Sequence, residues 1–551
     1  MRERLQHLIS RHSLVILCLL IFAGGIFRFY DLNWGAPFYF HPDERNIASS
    51  ISQLSYPESL NPNFFAYGSF PIYVIYFIGL SINFFTSCNF SITGCQVSFE
   101  QAIIISRIFS ALYATLIIPL IYLLGKKIKD KTTGIIAAVL GTFSVGFIQF
   151  SHFGTFEMWT AFFATVQLLL AIIYFEKGSK KSFYGLLLVT GILASVKISN
   201  LALLLIPTIS ILARTYSKGV SKKSLLKTFL LLFFLAAYTG AIFVLTNPYL
   251  ILDQEAYMGA LRYESGVALG TTKVFYTGEF INTTPVLFQL TRVFPFLLNP
   301  VILPAAILGT FYAIYLCFNR KKFTLFLVLC SLGVLFFSQV FFYVKWVRYM
   351  LPALPFIYVL IAIFFTSLLE IKKHKKIISP LTFLYLGIAV LSSIIFSVAY
   401  ISTVFVTKDS RIQARDFALK TLPADSLILS EVYDLGITPF NDNFHKITLF
   451  NFYDLDHEVP NPTLSEMLTN SDYLILPSQR ILATRRMHPE EFPASHSFYG
   501  KELISNKFTK IYETPCDLMC KIIYLNDPLG RFEGTANVFD RPTVMIFKIN
   551  K

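Results

Sequence analysis

Within FYFHPDERNIA, Phe38 to Ala48, the side chains of His41, Asp43, Glu44 and Arg45 crowd together, in a chain that is 54% hydrophobic and only 15% charged. Neighbouring carboxylates can take the proton from a hydroxyl nucleophile. Other ionisable residues beside apolar segments complement them. Glu157 follows His152 in SHFGTFEMWTAFF, and Lys197 interrupts the apolar stretch Phe183–Ala213. Arg262 and Glu264 occur in ALRYESGVALG, and Lys345 and Arg348 in VKWVRYMLP. Lys and Arg hold a phosphate and stabilise it as it departs with negative charge. Acid on one side and cation on the other is what glycosyl transfer from a lipid phosphate requires. For any one of these residues, a solvated loop tip or a snorkelling side chain accounts for the charge equally well. As a set at one membrane level they read as a site.

A bilayer-spanning frame is needed to bring them together. The 551 residues have a mean hydropathy of +0.59. Soluble domains carry about a quarter charged residues, so this is the composition of a polytopic membrane protein. Apolar runs of spanning length lie near Leu14–Phe27, Ile108–Leu124, Thr133–Phe150, Met158–Phe175 and Leu225–Leu245. Others lie near Pro300–Phe318, Phe323–Val344, Leu351–Leu369 and Pro380–Val406, and Phe183–Ala213 holds two. The basic start and apolar core of the N-terminus resemble a signal peptide. Gly24-Gly25 runs into Ile26-Phe27-Arg28 without a small-residue cleavage site, however, so a retained first helix is expected.

The net charge of +14 raises the question of a nucleic-acid partner. Its distribution answers it. Six segments, around Arg2/Arg4/Arg11, Lys126–Lys131, Lys177–Lys181, Arg214–Lys227, Arg320–Lys322 and Lys372–Lys376, hold 22 Lys and Arg against four acids. The rest of the chain is therefore net acidic, and the excess belongs to one face, as the positive-inside rule demands. No nucleic acid is implied. The uncharged run Ser69–Cys88 would invert every later cluster if it spanned, so it is expected to lie along the outer interface or re-enter; a twelfth span offset by a merger is the other option. The outcome is about eleven spanning helices, with the N-terminus cytoplasmic and the C-terminus outside.

After Val406 the pattern changes. DSLILSEVYD, DYLILPS, KIIYLND and TVMIFKINK read as short strands, with helical stretches and turn residues between them. Residues 406–551 are thus expected to form a soluble extracytoplasmic α/β domain, and residues 1–405 a multi-pass membrane domain with a first outer loop over about 29–105. Cys18, Cys317 and Cys330 fall in apolar runs. Cys88 and Cys95, and Cys516 and Cys520, fall in outer segments where disulfides can form.

The order of these motifs resembles the GT-C superfamily of polyprenyl-phosphate-sugar-dependent glycosyltransferases. More narrowly it resembles family 39, which includes protein O-mannosyltransferases and the aminoarabinose transferase. HPDER at 41–45 is similar to the family's first acidic motif, SHFGTFEMWTAFF to its second, and Ser106–Ile128 to its second helix. Gly191–Pro207 is similar to its Lys-bearing segment. Trp346–Pro355 is similar to its late Arg-Tyr-x-x-Pro motif, which adds Tyr349. The second acidic position, commonly Asp, is Glu157 here.

The resemblance implies a plasma-membrane transferase with a GT-C helical domain. It would move a sugar from a polyprenyl-phosphate donor to a hydroxyl acceptor (protein, glycan or lipid of the cell envelope), with inversion. Asp43 is the expected general base. Glu44 and Glu157 would bind the acceptor, orient the base or hold a metal. Lys197, Arg262, Lys345 and Arg348, with Tyr349, are the candidates for the donor phosphate. His41, Asp43, Glu44, His152 and Glu157 are of the types that ligate a divalent cation, although the resemblance implies that no cofactor is required. Two rivals remain: a transporter or flippase of lipid-linked sugars, in which the charges line a permeation path, and a non-catalytic receptor with an outer sensing domain.

Overall fold

The computed structural model describes residues 2–91, 94–217, 219–320, 322–371, 375–432, 439–440, 444, 446–452, 455–456 and 463–551, with side chains other than those of 2–10 and 375. Among the basic clusters, Lys218, Lys321, Lys372, Lys373 and the side chains of Arg2, Arg4 and Lys375 lie outside the described residues. So do Tyr433 and Asp434 of the first expected strand.

Apolar helices build the first 400 residues. The first, α1 (Arg2–Phe29), is followed by α2 (Pro42–Ser52) and α3 (Ser69–Thr86). Next come α4 (Phe99–Ile128), the pair α5 (Lys131–Thr142) and α6 (Val145–Ser151), α7 (Glu157–Lys177) and α8 (Lys180–Val196). A 3-10 turn, Ile198–Leu204, joins α8 to α9 (Leu205–Ser217), which leads to α10 (Lys222–Thr246). The following loop carries α11 (Tyr249–Leu252), α12 (Gln254–Leu269) and α13 (Phe294–Leu297). Then α14 (Leu303–Arg320), α15 (Phe323–Val340), the one-turn α16 (Val347–Met350), α17 (Leu354–Glu370) and α18 (Lys375–Ile401) complete the bundle. Local signals set the ends. Ser98 and Asp130 accept from the backbone N–H groups of Gln101 and Thr133 at the starts of α4 and α5, and Pro42 opens α2 where a missing N–H costs nothing.

Nine described helices are long and apolar enough to cross a membrane, or ten if α5 and α6, bent by 54°, count as one broken span. The eleven expected spans differ from this count at identifiable places. The nine include α3 but not α8, 17 residues long, or α14, which ends in Asn319-Arg320.

Charge sorts the two ends of the bundle. Lys127 pairs with Glu176 at 2.5 Å and Lys129 with Glu370 at 3.1 Å, and Arg214 donates to the carbonyl of Phe175 at 2.5 Å. Arg320 and Lys322 line the same recess as Lys129. The segments around Lys127, Glu176, Arg214, Arg320 and Glu370 therefore meet at one end. Arg107 lies 21 residues before Ile128 on α4, roughly 32 Å at 1.5 Å per residue, about the thickness of the hydrocarbon core.

Both ends of α3 belong to that opposite level. At its start, Ser69 N donates to Asn247 at the end of α10 (2.8 Å), and Gly68 N donates to the Val196 carbonyl at the end of α8 (3.0 Å). Near its finish, Asn83 donates to Gln101 at the start of α4 (2.8 Å). A helix tied to same-side helix ends at both termini lies along the boundary, as expected from the charge alternation.

The tail is an α/β domain. Helix α19 (Ser410–Thr421) precedes β1 (Ile428–Glu431) and β2 (Ile447–Phe450). Then come α20 (Leu464–Thr469), β3 (Tyr473–Leu476), α21 (Arg480–Met487), α22 (Pro493–Ser497), β4 (Phe508–Glu513), α23 (Leu518–Ile523) and β5 (Met545–Ile549). The sheet order is β2-β1-β3-β5-β4, parallel across the first three strands and antiparallel for β5 with β3 and β4. Alternating residues fill two cores: Ile428, Ile475 and Ile546 on one face, Leu429, Leu474 and Phe547 on the other. KIIYLND, expected as a strand, is corrected: its first residues close α23. Asp517 caps Cys520 N at 2.9 Å, and the Cys516–Cys520 disulfide (Cα–Cα 5.2 Å) ties positions i and i+4, a helical spacing. Cys88 and Cys95 are also joined, with Cα atoms 5.7 Å apart.

Candidate functional site

At the end of the bundle away from the basic segments, a cavity of about 900 Å³ opens between α2, the turn after α8, α12, α16 and the tail domain. Pro42 holds the first turn of α2, and His41 caps it by accepting from Glu44 N (3.4 Å). The His41 ring sits between Phe153 and Phe539, with centroids 4.4 and 4.5 Å away. Asp43 thereby projects into the cavity, its side chain 27% exposed, and pairs with Arg348. Tyr67 OH donates to Asp43 Oδ2 at 3.4 Å. Burial works to raise the Asp43 carboxyl, but Arg348, His41 and Lys197 together overcome it and hold the group below its ordinary value.

Arg348 comes from α16, its guanidinium 4.5 Å from the Trp346 ring centre. Its Nε is buried without a hydrogen-bond partner among the described residues. Lys197 stands at the junction of α8 and the 3-10 turn, with Nζ 5.0 Å from the Tyr349 ring centre and 5.6 Å from that of Tyr67. Glu157, at the start of α7, lines a small recess with Lys197, Arg348 and Tyr349. Both its carboxylate oxygens are buried and lack a hydrogen-bond partner among the described residues. The backbone geometry is tight here. A Cβ on Gly68 would lie 1.9 Å from the Ser195 carbonyl oxygen, so only glycine lets the Tyr67 loop pass the end of α8.

Of the residues singled out from sequence, Asp43, Glu157, Lys197, Arg348 and Tyr349 meet here. Glu44 does not line the cavity. It forms a fully buried bidentate pair with Arg107 of α4 (2.6 and 2.7 Å) and accepts from Gly154 N at 2.8 Å. Lys345 is also turned away: Nζ donates to Thr283 Oγ1 (3.0 Å) and the Tyr343 carbonyl (2.9 Å). Arg262 is exposed and outside the cavity lining, although its neighbours Leu261, Tyr263 and Glu264 form part of it.

The five candidate metal ligands do not converge. Among the described residues no three His, Cys, Asp or Glu side chains are placed to share an ion. Glu44 is held by Arg107, and the His152 ring nitrogens lie 2.7 Å from the carbonyls of Ile148 and Tyr30. Glu44 and His152 are thus committed to partners within the protein.

Glu264, noted in the sequence beside Arg262, also lines the cavity, whereas the sequence reading did not select Tyr67, Arg480, Thr535 or Phe539, which line it too. Burial raises the Glu264 carboxyl above its ordinary value, against the pull of Arg348. Arg480, Thr535 and Phe539 come from the tail, and no local motif marks them.

Neither a family sequence model nor a curated protein sequence matches this chain. Solved structures do. An Archaeoglobus fulgidus oligosaccharyltransferase tethered with an acceptor peptide containing the NVT sequon superposes with a TM-score of 0.52 at 11% identity, covering 98% of this chain and 89% of that one. The Archaeoglobus fulgidus oligosaccharyltransferase AglB in complex with an inhibitory peptide and a dolichol-phosphate gives 0.50 at 12% identity, with 98% and 89% covered. ArnT from Cupriavidus metallidurans bound to undecaprenyl phosphate gives 0.48 at 10%, with 98% of each chain covered. At these identities the likeness is one of fold, which in this chain is a multi-span helical domain followed by a mixed α/β domain.

Proposed function

We propose that this protein is a membrane glycosyltransferase that moves a sugar from a polyprenyl-phosphate donor to a hydroxyl acceptor. The observation that carries the reading is the meeting, in one cavity of a GT-C fold, of a carboxylate and two cations, with an unpartnered buried acid in the small recess beside them, from four distant segments. A protein of this fold has been captured with a dolichol-phosphate. The positive-inside charge pattern puts the cavity and the tail domain on the extracytoplasmic side. Closer assignment to family 39 rests on motif order.

Asp43 and Arg348 are paired in the cavity. A donor phosphate competes with Asp43 for the guanidinium, and the freed carboxylate becomes the base. It takes the acceptor hydroxyl proton as the acceptor oxygen bonds to the anomeric carbon. The bond from that carbon to the phosphate oxygen breaks, and its electron pair leaves on the phosphate, which Arg348 and Lys197 hold. A single displacement inverts the anomeric centre. Glu157 lines the recess beside Lys197, and its charge opposes part of the burial that lowers that ammonium.

The test is transfer by purified protein supplied with polyprenyl-phosphate hexoses and candidate acceptors. Release of polyprenyl phosphate is expected, and Asp43→Asn should lower it by roughly 10²- to 10⁴-fold, the range for general-base catalysis. Full activity of Asp43→Asn would end the assignment of the base, and transport of donor without its cleavage would make the protein a flippase.

A further inference from the structure

A segment of the tail just before β5 leaves its own sheet and enters the outer end of the helical bundle. Gln149 of α6 donates to the Ala536 carbonyl (3.0 Å) and to Asp540 (2.9 Å), and Tyr400 of α18 also donates to Asp540. Phe539 packs on the His41 ring, and Thr535 and Phe539 form part of the cavity wall. Glu533 opens this segment. Its backbone N–H donates to the Arg292 carbonyl at 3.2 Å, and its Oε1 accepts from Thr535 N at 3.0 Å. Its Oε2 accepts from Val347 N at 2.8 Å, across 186 residues of sequence.

Val347 is the first residue of α16, the one-turn helix that carries Arg348. The first N–H groups of any helix have no partner within it. Trp346, preceding α16, provides no side-chain cap. A carboxyl oxygen there satisfies an orphan donor. The neighbouring acid, Glu279, is tied to the same segment by accepting from Gly534 N at 2.9 Å. Burial, reinforced by Glu533, pushes Glu279 up to about 8, and burial raises Glu533 as well, against the hydrogen bonds it accepts from Thr535 and Val347.

We propose that Glu533 is a positioning residue for the transfer reaction: by capping Val347 from the tail domain it fixes the arginine of α16 in the path of the donor phosphate. The tail is then a working wall of the reaction centre. The inference rests on the reading of Arg348 as a phosphate ligand. It predicts how the effect of Glu533 depends on Arg348.

The experiment measures binding of undecaprenyl phosphate to the full chain in nanodiscs, beside thermal unfolding of the same samples. Glu533→Ala should weaken binding by roughly ten- to hundredfold, the scale of a hydrogen bond to a charged group. Glu533→Gln, whose amide oxygen can still accept from Val347 N while its NH₂ faces Thr535 N, should restore part of it. In an Arg348→Ala background, Glu533→Ala should cause no further loss. A loss that persists in that background, or Glu533→Ala binding like wild type, overturns the proposal. Should Glu533→Ala fail to fold, Glu533→Asp, one methylene short, must weaken binding when Arg348 is present and leave it unchanged in the Arg348→Ala background, or the proposal falls. If wild type itself does not bind the probe, the transferase reading has failed; if wild type binds and only the Glu533 variants misbehave, that reading stands and this one goes.

Discussion

Replacing Glu44 by Gln takes one charge from a pair that water cannot reach. Both side chains are fully buried, and the carboxylate accepts from Arg107 Nε, Arg107 Nη2 and Gly154 N at 2.6 to 2.8 Å. An amide in its place must point its NH₂ at another donor whichever way it turns. Breaking a buried pair by removing one partner costs about 3–5 kcal/mol. Arg107 keeps its bonds to the carbonyls of Leu32 and Trp34 and its place 4.6 Å from the Trp34 ring centre. A buried cation–π contact is worth about 2 kcal/mol, so the lower end, about 3 kcal/mol, is expected. In a detergent melt that amounts to a drop of a few degrees, while the folded fraction should still transfer sugar. Asp43→Asn should show the opposite: an almost unchanged melt and lost turnover. Glu44→Gln melting like wild type yet failing to transfer would return Glu44 to the chemistry and refute the scaffold argument.

Two other perturbations probe the frame of the site. Glu279 is buried with its carboxyl raised to about 8 against an ordinary 4.5, so the folded state binds a proton there that the unfolded state has released. Stability is therefore expected to fall as pH rises from the ordinary carboxylate range through about 8, and Glu279→Gln should flatten that slope in melts taken across pH 5–9; equal slopes would refute the placement of this acid. Gly68→Ala puts a methyl where the Ser195 carbonyl stands and where the backbone of α8 cannot easily yield. Overpacking of this kind costs about 1–3 kcal/mol, and because it presses on the turn bearing Lys197, undecaprenyl phosphate binding should weaken along with the melt.

What could be read in advance depended on the range of the interaction. Hydrophobic run lengths and the placement of lysines are local or cumulative signals, and they located the helices, the two-ended charge pattern and the boundary course of α3. The side-chain types at Asp43, Lys197 and Arg348 were visible because ionisable groups beside spanning segments are few. Glu44 was indistinguishable from Asp43 in sequence, since its partner Arg107 lies 63 positions away. Lys345 and Arg348 are three residues apart, but the chain enters α16 between them, which turns one toward Thr283 and the other into the cavity. KIIYLND has the composition of a strand, and a capped turn tied by Cys516–Cys520 outweighs that preference. Arg480 and Glu533 carry no local signature, because only tertiary structure brings the tail back to the bundle.

The penetrating segment also sets an order of construction. Residues 533–540 leave the ribosome after every apolar helix, yet they complete the network of Gln149, Tyr400 and Asp540 and part of the cavity wall. Until the nascent tail arrives, that flank of the bundle is bare and the Gln149 amide has water in place of Ala536 and Asp540. A ribosome that stalls after α18 releases a bundle complete in its helices but missing one side of the chamber.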